Sequence, residues 1–189
     1  MSIPDLTRRS LEVAPGLLGC VLRFGDTAVR LVEVEAYEGA DDPASHAWRG
    51  QTRRNATMFE PGGGIYVYTM HGHACMNIVC GPQGTASAVL VRAGEVVEGL
   101  DRAKQRRPGV REEWLARGPG NLCRALGITR EQDGTRFGTH GLELLPGSPP
   151  VAVRTGPRVN VSRAWDLPWR FWDSGSASVS AHKAHPNAR

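Results

Sequence analysis

Glu35 and Tyr37 lie two residues apart in the run Leu-Val-Glu-Val-Glu-Ala-Tyr at positions 31–37. Side chains of an extended strand alternate between faces with a period of two, so the run sets Glu33, Glu35 and Tyr37 on one face and Val32, Val34 and Ala36 on the other. A carboxylate then shares a surface with an aromatic ring. His46 follows in the next segment, Tyr66 and Tyr68 alternate in a second strand-like run, and Arg92 ends a third. An acid to take a proton, rings to stack on a flat heterocycle and a guanidinium to grip phosphate are the parts needed to hold and cut a base.

Singly, each residue has an ordinary reading. A strand glutamate is most often solvated or paired, a strand tyrosine packs, a loop histidine makes everyday hydrogen bonds and an arginine pairs with a carboxylate. Tyr66 is read in that ordinary way, as packing. The weight rests on the joint occurrence of the others.

To bring these groups together the chain needs strands. The spacing of Leu11, Ala14, Leu17 and Leu18 predicts a short helix capped by Ser10, limited in length by Pro15. A strand over 20–24 turns at Gly25-Asp26 into a hairpin partner over 28–37. The polar segment 38–54 reads as a long functional loop carrying His46, Trp48, Arg49, Arg53 and Arg54. After the break at Pro61-Gly62-Gly63-Gly64 come strands over 65–70, 75–79 and 86–92. Val96, Leu100 and Ala103 fall at helical spacing with Pro108 as a stop, and Asn121 is placed to cap a helix ending at Gly127. Short strands are expected near 142–145 and 151–154. The pattern is α+β: a single mixed domain over residues 1–180, with a central, mainly antiparallel, curved β-sheet flanked by helices, and a flexible, solvated C-terminal tail over 181–189.

With 189 residues the chain is long enough to bury a substantial core as one domain. Its net charge of +4 is carried almost wholly by arginine, Lys104 and Lys183 being the only lysines. That composition permits a nucleic-acid partner without proving one. Cys20, Cys75, Cys80 and Cys123 are irregularly spaced and no secretion signal precedes them, so the expected setting is the reducing cytoplasm, close to the nucleoid in a bacterium. No apolar run approaches a membrane span, and no membrane partner is expected.

From Leu31 to Arg92 the chain resembles the alkyladenine DNA glycosylase family, the methylpurine or 3-methyladenine DNA glycosylases of mammalian type. The resemblance rests on Glu-Val-Glu-Ala-Tyr-Glu-Gly at 33–39, Ala-Ser-His at 44–46, Arg-Asn with Met-Phe across 54–59, Ile-Tyr-Val-Tyr at 65–68, Cys-Met-Asn at 75–77 and Val-Leu-Val-Arg-Ala at 89–93. Gly-Pro-Gly-Asn-Leu-Cys-Arg-Ala-Leu-Gly-Ile at 118–128, and Pro-Arg-Val through Pro-Trp-Arg-Phe across 157–171, extend it. It implies a monofunctional, monomeric DNA glycosylase of base excision repair that flips damaged purines from double-stranded DNA and hydrolyses the N-glycosidic bond without metal or cofactor. By position, Glu35 is the general base that activates water, helped by Arg92; Tyr37, His46 and Tyr68 enclose the base. Asn77 lies at the pocket floor, and the Val179 carbonyl contacts the water.

Alkylation of a ring nitrogen makes a purine cationic, at once a better leaving group and a better guest for aromatic faces. Neither lysine falls in the pocket motifs, so no Schiff-base lyase step is expected. One departure stands out: His71 occupies the position of the family's intercalating tyrosine. Asn160 replaces a frequent glycine, and Asn tolerates a left-handed backbone. Two other readings compete. His71, His73 and Cys75, with Cys80 or His46, have the alternation of a zinc site, and a damage-recognition protein with little or no excision would need the same basic surface.

Overall fold

The computed structural model describes residues 1–188. Helix α1 (Ser10–Leu17) leads into strands β1 (Val21–Phe24) and β2 (Thr27–Glu38), then β3 (Ile65–Met70), β4 (His73–Cys80) and β5 (Ser87–Glu98). Helix α2 (Leu100–Arg106), β6 (Ala116–Arg117), α3 (Pro119–Leu126), β7 (Leu142–Leu145), β8 (Val153–Gly156) and β9 (Arg170–Asp173) complete the α-helices and strands among the described residues. The strands form one antiparallel sheet in the order β3-β4-β5-β2-β1-β7; β6 joins the edge of β5, and β9 joins β2 with β8 outside it. The fold is a single α+β domain, as the sequence predicts.

Strands β2 and β5, twelve residues each, are the spine of the sheet. One edge of β2 pairs first with β1, up to Arg30, and then with β9, from Glu33 to Glu35. The β2–β5 register breaks where this change occurs: Val32 on β2 and Arg92 on β5 are each passed over without a partner. The irregularity alters the expected alternation. Val29 and Leu31 enter the main core before it, Val34 and Ala36 after it, and Val32, though buried, lies outside that cluster. A residue inserted into one strand of a pair shifts the side-chain parity, which strict period-two reading misses. Glu33, Glu35 and Tyr37 nevertheless keep a common face.

The core has two parts on opposite faces of β3–β5. Ile65, Val67, Met76, Ile78, Val89 and Val91 join α1 and α3 in the larger cluster. Tyr66, Tyr68, Cys75, Val79, Ala88 and Leu90 face the other way, where Ala47, Met58 and Phe59 of the 38–59 loop cover them.

Several local expectations are corrected. Arg9, not Ser10, occupies the N-cap position of α1, without a side-chain capping bond; the Ser10 hydroxyl donates to Glu38 Oε1 at 2.5 Å, and its amide donates to Ser87 Oγ at 2.7 Å. Val96 belongs to β5, where it pairs with Val29, and α2 begins only after Gly99 turns left-handed at φ 70°. A cross-strand partner outweighed the helical spacing, and Gly94 allows the approach, since a Cβ there would lie 2.9 Å from the Arg30 carbonyl. Helix α3 starts at Pro119 behind Gly118; Asn121, inside it, donates to the Arg117 carbonyl at 2.7 Å. Strand β8 lies two residues beyond its expected start, and β6 and β9 escaped the sequence reading. Residues 181–188 form no regular element, yet the Asn160 amide donates to the Lys183 carbonyl at 2.8 Å, holding the segment against the domain.

Candidate active site

The sheet face that carries Tyr66, Tyr68, Asn77 and Leu90, the end of β2 and the loops over residues 43–58 and 159–163 enclose a cavity of about 550 Å³. Glu35, Tyr37, His46, Tyr68, Asn77 and Arg92 all line it. Six of the eight positions singled out from the sequence therefore converge, although they come from four strands and a loop.

Glu35 is fully buried. Its Oε1 accepts the Val159 amide at 2.7 Å; its Oε2 accepts the Tyr37 hydroxyl at 3.0 Å and Arg92 Nη1 at 3.3 Å. Each carboxylate oxygen has about two acceptor positions. Oε2 has both in use, whereas Oε1 keeps one for another donor. Asn160, next to Val159, stands at φ 58°, the left-handed conformation that asparagine tolerates as expected.

Glu33, two residues back on the same face, is spent differently. Its Oε1 accepts Arg92 Nε at 2.9 Å, Arg170 Nε at 2.8 Å and the Ser180 hydroxyl at 2.8 Å, and its Oε2 accepts the Ser180 amide at 2.7 Å. Burial pushes its pKa up, but Arg92, Arg170 and the Ser180 amide outweigh burial and hold the carboxyl below its ordinary value. Burial likewise works against the charge on Arg92, and the carboxylates of Glu35 and Glu33 overcome it, so its pKa is raised and the cation is secured. This network occupies the break in the β2–β5 register. Arg92 thus holds Glu35 in place while anchored to Glu33.

The wall opposite is aromatic. His46 Nδ1 lies 3.1 Å from the Tyr66 hydroxyl, and its ring meets Tyr68 edge-on at a centroid distance of 4.5 Å. Tyr66, expected only to pack, packs and also lines the cavity, as its shared parity with Tyr68 implies. Asn77 Nδ2 donates to the Tyr66 carbonyl at 3.1 Å, which fixes the amide on the floor. Burial raises the pKa of Tyr37 and Tyr68, with Glu35 adding to both and Cys75 to Tyr68, so their phenols stay neutral. The pKa of His46 is lowered by partial burial and then by Arg54, which favours the uncharged ring.

Two expected residues are not in the cavity. His71 is exposed at the tip of the β3–β4 hairpin, where it and Gly72 have φ of 49° and 81°. The Val179 carbonyl accepts Arg117 Nε at 2.9 Å, and Val179 does not line the cavity. His71, His73 and Cys75 do not converge: among the described residues no group of three or more His, Cys, Asp or Glu could hold a metal ion. Lys183, placed outside the site by its sequence position, lines the cavity together with His185.

Sequence reasoning also missed Arg158, fully buried and bidentate to Asp42 at 2.5 and 2.9 Å, with its guanidinium 4.6 Å from the Tyr37 ring centroid. It braces Tyr37 from behind. At the rim, Arg49 and Arg163 both lie against Trp48, at 5.6 and 4.7 Å from its ring centroid.

A buried acid under an aromatic wall, with Arg163 and Lys183 also lining the cavity, has the chemistry that suits a planar base carried on a polyanion. The family model described as methylpurine-DNA glycosylase matches residues 5–177. Curated relatives span nearly the whole chain. One from Nocardia farcinica is 49% identical over 100% of this chain and 94% of its own, and one from Frankia casuarinae is 50% identical over 92% and 88%. Another, from Cutibacterium acnes, is 47% identical over 93% and 97%. All three carry the provisional name 3-methyladenine DNA glycosylase. The chain belongs to the methylpurine-DNA glycosylase family. It is a DNA glycosylase of DNA repair, a hydrolase of the N-glycosidic bond that binds damaged DNA. No described helix is long and apolar enough to cross a membrane.

Proposed function

We propose that this protein flips an alkylated purine nucleotide from duplex DNA into the cavity and hydrolyses its glycosidic bond with water activated by Glu35. The observation that carries this reading is the environment of Glu35: it lines the cavity though fully buried, is fixed by Val159, Tyr37 and Arg92, and has an Oε1 acceptor position that no protein group uses. Water bound there gives its proton to the carboxylate as its oxygen bonds to C1′ of the sugar. The C1′–N bond breaks and its electron pair leaves with the base. A cationic base such as 3-methyladenine, the substrate in the names of the relatives, leaves neutral and needs no acid. The negative carboxylate also stabilises the positive charge that develops on the sugar.

Tyr37, His46 and Tyr68 supply faces and edges for the base, and the cationic purine gains most from them. Asn77 on the floor rejects the exocyclic amine of normal guanine. Arg92 orients Glu35 and carries positive charge towards the nucleotide's phosphate. His71 acts as the wedge at the hairpin tip. The reaction is monofunctional: a Schiff base needs an amine held at the sugar, whereas Lys183, the one lysine lining the cavity, is an exposed side chain of the C-terminal segment. A monomer suffices because a lesion is asymmetric, and the cytoplasm, at the nucleoid, is the proposed location.

The test is base release from duplex oligonucleotides carrying one 3-methyladenine, 7-methylguanine, hypoxanthine or ethenoadenine. Release of the cationic bases is expected, fastest of the four. Tight binding to lesions with no release of any base would instead support a damage-recognition protein.

A further inference from the structure

The last turn of the β3–β4 hairpin stands free: Thr69, Met70, His71, Gly72 and His73 are all exposed. Its two faces border different hollows. Tyr66, Tyr68 and Met70 line the catalytic cavity. Thr69 and Ala74, cross-strand partners of the opposite parity, border a second groove of about 640 Å³ against α2 and α3. Arg106, Arg124 and Arg130 line this groove, His73 stands at its edge, and no carboxylate lines it.

Two of the arginines are built into the wall. Arg106 donates to the Thr27 hydroxyl and the Ala125 carbonyl, both at 2.9 Å, pairs with Asp26 at 3.7 Å, and lies against Gly127, where an added Cβ would come within 3.1 Å of it. Arg130 donates to the Val67 carbonyl and pairs with Asp133 at 3.3 Å. Arg124 is exposed and takes part in no ion pair among the described residues.

We propose that this groove binds the sugar-phosphate backbone of the strand opposite the lesion, an inference that rests on the hairpin acting as the wedge. A wedge driven between base steps separates what lies on its two sides. The strand that gives up its nucleotide follows the face carrying Glu35, so the intact strand falls to the face carrying the arginines. Three guanidiniums line the hollow; Arg106 and Arg130 are each paired behind it with an aspartate, and Arg124 carries the charge left for a polyanion, its planar fork matching phosphate oxygens. Phosphate contacts hold register without reading bases, which suits an enzyme that must find damage in any sequence.

The test is a binding cycle on lesion duplexes, in the Glu35→Gln background so that the base stays attached. Replacing three consecutive phosphates opposite the lesion by neutral methylphosphonates is expected to weaken binding about fivefold, and Arg124→Ala to weaken binding to the unmodified duplex by about as much. Combined, the two changes should cost little more than either alone. Arg124→Lys, which keeps the charge, should retain most of the affinity. Losses that multiply would overturn the proposal, as would coupling of Arg124 to methylphosphonates in the lesion strand. Failure of the glycosylase reading is separable, because it appears as no base release from any lesion by the wild-type protein.

Discussion

Glu33 and Glu35 are two turns of the same pleat with opposite fates. Glu33 is saturated by Arg92, Arg170 and Ser180, while Glu35 lines the cavity and has an Oε1 acceptor position that no protein group uses. Nothing local in Glu-Val-Glu separates them, since Arg170, Ser180 and Val159 arrive from more than a hundred residues downstream. The resemblance singled out Glu35; period-two reasoning alone gives both. Tyr66 was within reach of the sequence, because its parity is that of Tyr68, whereas Arg158 and Lys183 sit in stretches without periodicity. Asn77 provides a test at this scale. Its amide is pinned by the Tyr66 carbonyl, so Asn77→Ala opens the floor and should raise release of undamaged guanine relative to 7-methylguanine about tenfold, within the 1–3 kcal/mol that pocket contacts contribute to discrimination. An unchanged ratio in a competitive release assay would remove Asn77 from specificity.

At the scale of elements, the break in the β2–β5 register creates the site. It lets β9 take over from β1 beside β2 and places Glu33, Arg92 and Arg170 within one buried network. Glu33→Gln keeps the shape and removes the charge that two buried guanidiniums share, so a loss of about 3–5 kcal/mol in denaturant unfolding is expected. The sign with pH follows from the lowered carboxyl. Below the ordinary value of 4.5 the unfolded chain takes up this proton before the folded one does, so the contribution is full above that range and lost as pH falls through the folded value. The variant should show a shallower acid loss; the same acid profile as wild type would place the pH dependence elsewhere. Strand alternation made β1 to β5 legible, while β6 and β9 were not, being two and four residues long and paired only through distant contacts.

The hairpin tip separates backbone from side chain. His71 adopts φ 49°, which asparagine tolerates better than alanine. His71→Ala and His71→Asn should both weaken binding to lesion duplexes several-fold and spare excision from mismatched sites, where flipping costs less. Full affinity in His71→Asn would make the position a turn requirement, without a wedge.

For the whole molecule, the sequence conveyed one α+β domain because hydrophobic alternation and Gly-Pro breaks recur through most of its length. It did not show that residues 181–188 return to the site, since nothing in their composition marks a docking segment. The four cysteines are buried free thiols. Burial raises their pKa, that of Cys123 up to about 12. The folded protein should therefore resist a thiol reagent at pH 8, and all four thiols should react in one phase on denaturation. Fast labelling of the native protein would contradict this packing.

The most direct measurement compares wild type and Glu35→Gln in single-turnover release of 3-methyladenine from duplex DNA, with binding to the same duplex measured in parallel. Positioned general base catalysis contributes about 10²–10⁴-fold. The variant should bind the lesion as well as wild type and release the base slower by that factor. A variant that releases the base at the wild-type rate, or loses binding and release together, would contradict the role of Glu35 as the residue that activates water.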